Sequence, residues 1–203
     1  MNFYEQTTYS YSLFPTLVCV YDSVFMSEVE QIYPIIKQAE NEDRVEYCNA
    51  QRGGPSVTSY AMGSFIETLP DDIRVPLSQK LQHCIDDYCT KSGEGDLAVA
   101  NSWFNIQYEG SSLHEHMHPG SIISGALYVK VDDDNANLRF KNINPFWMMS
   151  HRVQETEYNC SYEEFEPKNG TLILFPSWLP HSSVANKSKE RVVLSFNTTF
   201  YKK

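Results

Sequence analysis

The 203-residue sequence predicts an α+β chain: a mixed, helix-bearing first half buttressing an antiparallel sandwich or barrel of jelly-roll type in the second. Three observations carry this. Apolar residues recur at helical spacing before Gly93, short Val/Ile/Phe/Tyr-rich runs follow from Leu97, and no long helical pattern interrupts those runs.

The elements follow in order. TLVCVY (16–21) is β-branched and apolar, as a buried strand requires. Ser27-Glu28-Val29-Glu30 has the form of a capping box opening a helix to about Glu40, with Pro34 arguing for a kink or a broken first turn. Residues 41–63 are polar and contain RGGPS, a loop composition. From Asp71 to about Lys91, Ile73, Leu77, Leu81, Cys84, Ile85 and Tyr88 form one helical face, ended by Gly93 and Gly95. WFNIQYEG, IISGALYVKV, NLRF, GTLILFP and RVVLSFNTTFY then supply strands separated by Gly, Asn, Asp and Pro. Residues 142–167 fit neither period, and a loop of that length suits a lid or insertion, with Phe146, Trp147, Met148 and Met149 as its apolar contacts. No flexible linker marks the change of texture at residues 93–97. The chain therefore reads as one domain, 1–203, with a helical/mixed support region (1–96) and a jelly-roll core (97–203).

Composition excludes several classes of function. Sixteen Lys and Arg against 26 Asp and Glu leave a formal charge of −10, which repels phosphate backbones and anionic membranes, so nucleic acid is not the expected partner. The amino terminus lacks a basic segment and its apolar stretch is broken by Pro15, so no signal peptide is expected. No run approaches the roughly 20 apolar residues of a membrane span. Five cysteines (Cys19, Cys48, Cys84, Cys89, Cys160) with no C-x-x-C pair suit free thiols in a reducing cytoplasm. Sequons at Asn159, Asn169, Asn186 and Asn197 would then go unused. A homodimer is compatible with the sequence.

Residues 113–121, LHEHMHPGS, hold half of the chain's six histidines. His114-Glu115-x-x-His118 matches the zinc-protease helix motif, but Pro119 and Gly120 would end such a helix on its own second ligand. In an extended segment His114, His116 and His118 share one face instead. Such a face can simply be solvated. His181, at the exit of GTLILFPSWLPH, changes the balance, because paired strands would return it to the first cluster, and neutral imidazoles suit iron, copper, nickel or zinc. Arg191 opens RVVLSFNTTF and shares a strand face with Val193, Ser195 and Asn197. Facing water it needs no explanation; facing inward it needs an anion and would clasp a carboxylate in bidentate fashion.

From about Asn101 to Phe200 the chain resembles the 2-oxoglutarate and iron(II)-dependent dioxygenases, within them the prolyl-hydroxylase-like group, often bacterial or phage. The matching motifs are Asn101-Ser-Trp103-Phe-Asn105, His116-Met-His118-Pro-Gly-Ser, Ser124-Gly-Ala-Leu-Tyr128-Val, Gly170-Thr-Leu-Ile-Leu-Phe-Pro-Ser-Trp178, His181 and Arg191-Val-Val-Leu-Ser-Phe-Asn197. The resemblance implies a double-stranded β-helix (cupin-like) core with iron(II) held by His116, His118 and His181. It implies that Arg191 and Tyr128 bind the far carboxylate of the cosubstrate 2-oxoglutarate, and that O2 oxidises a substrate C–H bond with release of succinate and CO2. It departs from the superfamily at His118, which stands where a carboxylate is usual, as an H-x-H pattern. Glu115 points to the other face and is a poor substitute. His114 is expected in a supporting or solvent-exposed role. Rival readings are a three-histidine cupin-type dioxygenase without 2-oxoglutarate, which leaves Arg191 idle, and a non-enzymatic metal-bearing jelly-roll module. The substrate stays open among a peptide side chain, an amino acid and a small metabolite.

Overall fold

The computed structural model describes residues 9–48, 54–144, 149, 151 and 153–201. Along the chain run β1 (Cys19–Tyr21), α1 (Met26–Asn41), β2 (Glu46–Cys48), β3 (Ser56–Thr58), α2 (Asp71–Ser92), β4 (Leu97–Tyr108), β5 (Ile123–Lys130), β6 (Leu138–Lys141), β7 (Tyr162–Phe165), β8 (Leu172–Pro176), β9 (His181–Ser183) and β10 (Glu190–Phe200). The strands form a seven-stranded sheet, β1-β8-β5-β10-β4-β3-β2, and a three-stranded sheet, β7-β6-β9, antiparallel throughout.

Side-chain alternation divides the large sheet between two cores. On β10, Val192, Leu194 and Phe196 point to one side, where Phe25 just before α1, Val29, Ile32 and Ile36 of α1, and Leu77, Leu81 and Ile85 of α2 cover them. Each such side chain contributes roughly 1.5–3 kcal/mol by leaving water. The opposite face meets the small sheet across a second cluster that includes Ala126, Tyr128, Phe140, Phe175 and Val193. Helices therefore stiffen one face and leave the other free to build a site between the sheets.

Helix α2 matches its expected apolar face, and Gly93 ends it in the left-handed conformation (φ 77°), its N–H donating to Cys89 O at 2.8 Å. Helix α1 begins differently from expectation. The capping box does not form, because Ser27 lies inside the helix with its hydroxyl on the Glu28 carboxylate. Phe25 sets the start instead: it is wholly buried, and its N–H donates to Gly170 O at 2.9 Å. A tertiary anchor overrides the local signal. Pro34 interrupts the hydrogen-bond ladder, yet α1 runs on to Asn41.

Two stretches expected as loops contain strands. Within 41–63, β2 and β3 form a hairpin that extends the large sheet through the β3–β4 pairing. Within 142–167, β7 pairs with β6. Runs of three or four residues are too short to display a period, and pairing partners distant in sequence define them. Of the expected lid residues, Phe146, Trp147 and Met148 lie outside the described residues, and Met149 is exposed.

Candidate active site

The segment carrying LHEHMHPGS is extended rather than helical. It joins β9 through one antiparallel bridge, with His116 N–H to His181 O and His181 N–H to His116 O both at 3.0 Å. His118 N–H donates to Ser177 O at 2.9 Å, and Ser183 N–H to Leu113 O at 3.0 Å. These bonds bring His116, His118 and His181 together. One ring nitrogen from each lies within 4.8 Å of the others, with ring centroids 4.2 to 5.1 Å apart.

The hydrogen-bond partners fix which nitrogen is free. Nδ1 of His116 lies 2.7 Å from His114 O, and Nδ1 of His181 lies 3.0 Å from Leu179 O. A carbonyl oxygen only accepts, so each Nδ1 carries the proton and each Nε2 keeps its lone pair. Nδ1 of His118 meets Asn197 Oδ1 at 2.7 Å and Ser124 Oγ at 2.8 Å. Burial is the first cause lowering the proton affinity of all three imidazoles: His116 and His118 fall below the ordinary 6.5, and His181 is pushed down to about 3. Three neutral imidazoles at neutral pH, each held from behind at Nδ1, form a donor set suited to a first-row transition metal. The residues present fit a metal ion on this ground.

The other histidine of the segment and the adjacent acid lie elsewhere. His114 is exposed and serves through its backbone carbonyl. Glu115 pairs with Lys141 at 2.8 Å and accepts from Tyr162, on the outer surface of the small sheet. The absence of a carboxylate from the cluster follows from this strand-like alternation.

Beside the histidines a cavity of about 160 Å³ runs between the sheets, reaching Arg191, Tyr128, Gln107 and Asn105. Arg191 is 3% exposed, so its inward orientation is established. Its guanidinium donates to Gln107 Oε1 and, at 3.2 Å, to the Tyr128 hydroxyl, and packs 5.0 Å over the Tyr128 ring. Its buried Nε has no hydrogen-bond partner among the described residues. Complete burial raises the Tyr128 pKa, so the phenol stays protonated; having accepted from Arg191, it can donate its own hydrogen to an anion. A buried cation with neutral neighbours, an unused N–H and a phenol donor form a donor set whose chemistry fits a carboxylate.

Several cavity residues escape a reading based on histidines and charge. Trp103, Asn105 and Gln107 alternate along β4 into the cavity, while Phe104 and Ile106 face the helices. Trp103 packs edge-on against His118 (5.7 Å) and Tyr60 (5.2 Å). Ser56 and Thr58 of β3 and Cys48 of β2 complete that wall. The available signal was the polar alternation in W-F-N-I-Q, which an all-apolar core strand would lack.

Residues 101–197 match a family profile described as "Putative 2OG-Fe(II) oxygenase". No curated protein matches the chain in sequence. Among solved structures, the chain is similar to a Pseudomonas putida prolyl-4-hydroxylase (13% identity, 92% of this chain and 94% of that one, TM-score 0.63). It is also similar to the viral collagen prolyl hydroxylase of Paramecium Bursaria Chlorella virus-1, solved with 2-oxoglutarate (12%, 91% and 96%, 0.56). A third similar structure is HygX from Streptomyces hygroscopicus, solved with nickel and 2-oxoglutarate (11%, 91% and 83%, 0.59). At these identities the likeness establishes a shared fold.

Proposed function

We propose that the chain is a 2-oxoglutarate/iron(II) oxygenase, a reading supported by the profile match over residues 101–197, and that it hydroxylates a C–H bond of a small or side-chain substrate. In this reading His116, His118 and His181 hold iron(II), while Arg191 and Tyr128 bind the distal carboxylate of 2-oxoglutarate. Bound there, iron and cosubstrate would supply the oxidising chemistry, with O2 consumed and succinate and CO2 released. The protein's part is to bind, orient and keep water out.

One observation carries the reading: a buried arginine with only neutral partners lines the same cavity as three converging imidazoles. The imidazoles alone would suit a three-histidine dioxygenase that does not use 2-oxoglutarate, or a metal-bearing module. Arg191 has no task in either, and burying a guanidinium beside a neutral amide and a phenol is unfavourable until an anion arrives. The guanidinium orients a dicarboxylate by its far end, and the phenol adds a donor that complete burial keeps protonated.

Supporting roles follow. Trp103 walls the metal side of the cavity, and β3 and β4 offer hydroxyl and amide groups to a substrate. Residues 1–96 supply the helices that fix the back of the large sheet, so 1–203 acts as one oxygenase unit. No helix among the described residues is long and apolar enough to cross a membrane. Cys19, Cys48, Cys84 and Cys89 are free thiols, which supports a reducing, cytoplasmic setting.

Anaerobic titration tests the proposal. Iron(II) followed by 2-oxoglutarate should give the weak visible charge-transfer band of a chelated 2-oxo acid. Iron binding without that band would favour the 2-oxoglutarate-independent dioxygenase, and no iron binding would favour the module.

A further inference from the structure

His118 is the one imidazole of the three held from behind by side chains. The rings of His116 and His181 lean on the carbonyls of His114 and Leu179, acceptors that no substitution removes. Behind His118 lies a buried chain of three polar groups instead. Asn197 Oδ1 is 2.7 Å from its Nδ1, Ser124 Oγ is 2.8 Å from the same nitrogen, Ser124 donates to Asn197 Oδ1 at 2.8 Å, and Ser177 Oγ lies 2.8 Å beyond Ser124. Ser124 and Ser177 are wholly buried and Asn197 nearly so.

The hydrogens in this chain can be counted. Each serine has one, and Asn197 Oδ1 has none. If Ser177 donates to Ser124 and Ser124 donates to Asn197, the remaining short contact, from Nδ1 to Oδ1, needs a hydrogen on Nδ1. A bare Nδ1 would set two acceptors face to face at 2.7 Å. With Nδ1 protonated, Nε2 of His118 keeps its lone pair for the cluster. The backbone contributes as well: pairing between β10 and β4 slips between Asn197 and Thr198, and an irregularity of this kind re-aims the side chain beside it.

We infer that Asn197, backed by Ser124 and Ser177, is the positioning residue that makes His118 a metal ligand, fixing its tautomer and ring plane where the superfamily's usual carboxylate would need neither. The inference rests on His118 being a ligand, as proposed above. It also makes position 197 the place where the charge of the site is set. A neutral amide leaves His118 a neutral imidazole, whereas a carboxylate there would draw the Nδ1 proton toward itself and make the ring a stronger donor.

Two measurements on the full chain test this, neither of them turnover. Long-range ¹H–¹⁵N correlation spectra of the metal-free protein should show His118 protonated at Nδ1. Anaerobic chelator competition with cobalt(II) and iron(II) should show a 10- to 100-fold loss of affinity in Asn197→Leu, the range typical when a ligand's hydrogen-bond partner is removed. Asn197→Asp should recover or exceed wild-type affinity. A role in packing alone predicts the opposite order, since a buried carboxylate disturbs a fold more than a leucine. If His118→Ala leaves affinity unchanged, the ligand assignment fails and takes the inference with it. If His118→Ala weakens binding while Asn197→Leu and Asn197→Asp both match wild type, or if the wild-type proton sits on Nε2, the ligand assignment stands and the inference alone is overturned. Should Asn197→Leu fail to fold, the Asp variant and the wild-type spectrum still decide.

Discussion

His116 and His181 exchange two backbone hydrogen bonds, 3.0 Å in each direction, across a single antiparallel bridge. Main chain rather than side chain therefore sets the 4.2 Å separation of their rings. Replacing the His181 ring should remove a proposed ligand and spare the bridge. His181→Ala is expected to fold, by circular dichroism, and to lose iron(II) affinity by about 100-fold or more in chelator competition. Wild-type affinity in a folded variant would remove His181 from the metal set.

Arg191 and Tyr128 give a second expectation, because an arginine awaiting an anion has opposite effects on stability and binding. Arg191→Met should leave the ligand-free melting temperature unchanged or raised, since it replaces a buried cation whose Nε has no partner among the described residues. The same variant should weaken 2-oxoglutarate binding by roughly 30-fold or more, about 2 kcal/mol, with metal affinity near wild type. Calorimetry in the presence of metal reads both. Undiminished affinity for 2-oxoglutarate would sink the assignment.

The helices, the long strands and the metal-ligand candidates were legible because each leaves a local trace. Leu77, Leu81 and Ile85 mark a face by spacing alone, and Pro119-Gly120 rule out a helix at the histidines. Strands β2, β3, β7 and β9 left no such trace, being three or four residues long and defined by partners far away. Asn197 was visible on the same face as Arg191, but its contact with His118, 79 residues earlier, exists only once β10 and the histidine segment meet. Two of the sequons illustrate the same limit: Asn186 and Asn197 are buried and hydrogen-bonded, which bars a glycan at either. The misplaced start of α1 has a similar origin, since the anchoring of Phe25 by Gly170 outweighs a capping signal read from neighbours.

Acid should destabilise the metal-free protein through the histidine cluster. His181 is held at about 3, first by burial and then by His116, against an ordinary value of 6.5. The unfolded chain therefore takes up a proton near pH 6.5 while the folded chain resists until about 3. Between those values the unfolded state binds more protons, so stability is complete above the upper value and declines as pH falls toward the lower one. His116 and His118, lowered for the same first cause, act in the same direction. The slope approaches about 1.4 kcal/mol per pH unit for each histidine fully engaged. Urea midpoints measured from about pH 7 to about pH 5 should fall, and His181→Ala should flatten the trend. An unaltered slope in that variant would assign the acid sensitivity to other groups.

Gly125 ties the geometry of the site to the core on the far side of the sheet. A Cβ at this position would lie 2.2 to 2.7 Å from three ring atoms of Phe196, which is fully buried opposite it on β10. Glycine is needed so that the ring can lie across the strand. The neighbouring residues Ser124 and Ala126 face the other way, toward His118 and the cavity, so any separation of β5 from β10 displaces the groups behind that imidazole. Gly125→Ala should destabilise the fold by roughly 1–3 kcal/mol through overpacking. It should also weaken metal binding, although neither Gly125 nor Phe196 belongs to the histidine cluster. Phe196→Leu in the same chain should recover part of both losses, giving a coupling measurable by a double-mutant cycle. Strictly additive effects in chemical denaturation would show that the ring and the glycine act independently, and that the site is insulated from this side of the sheet.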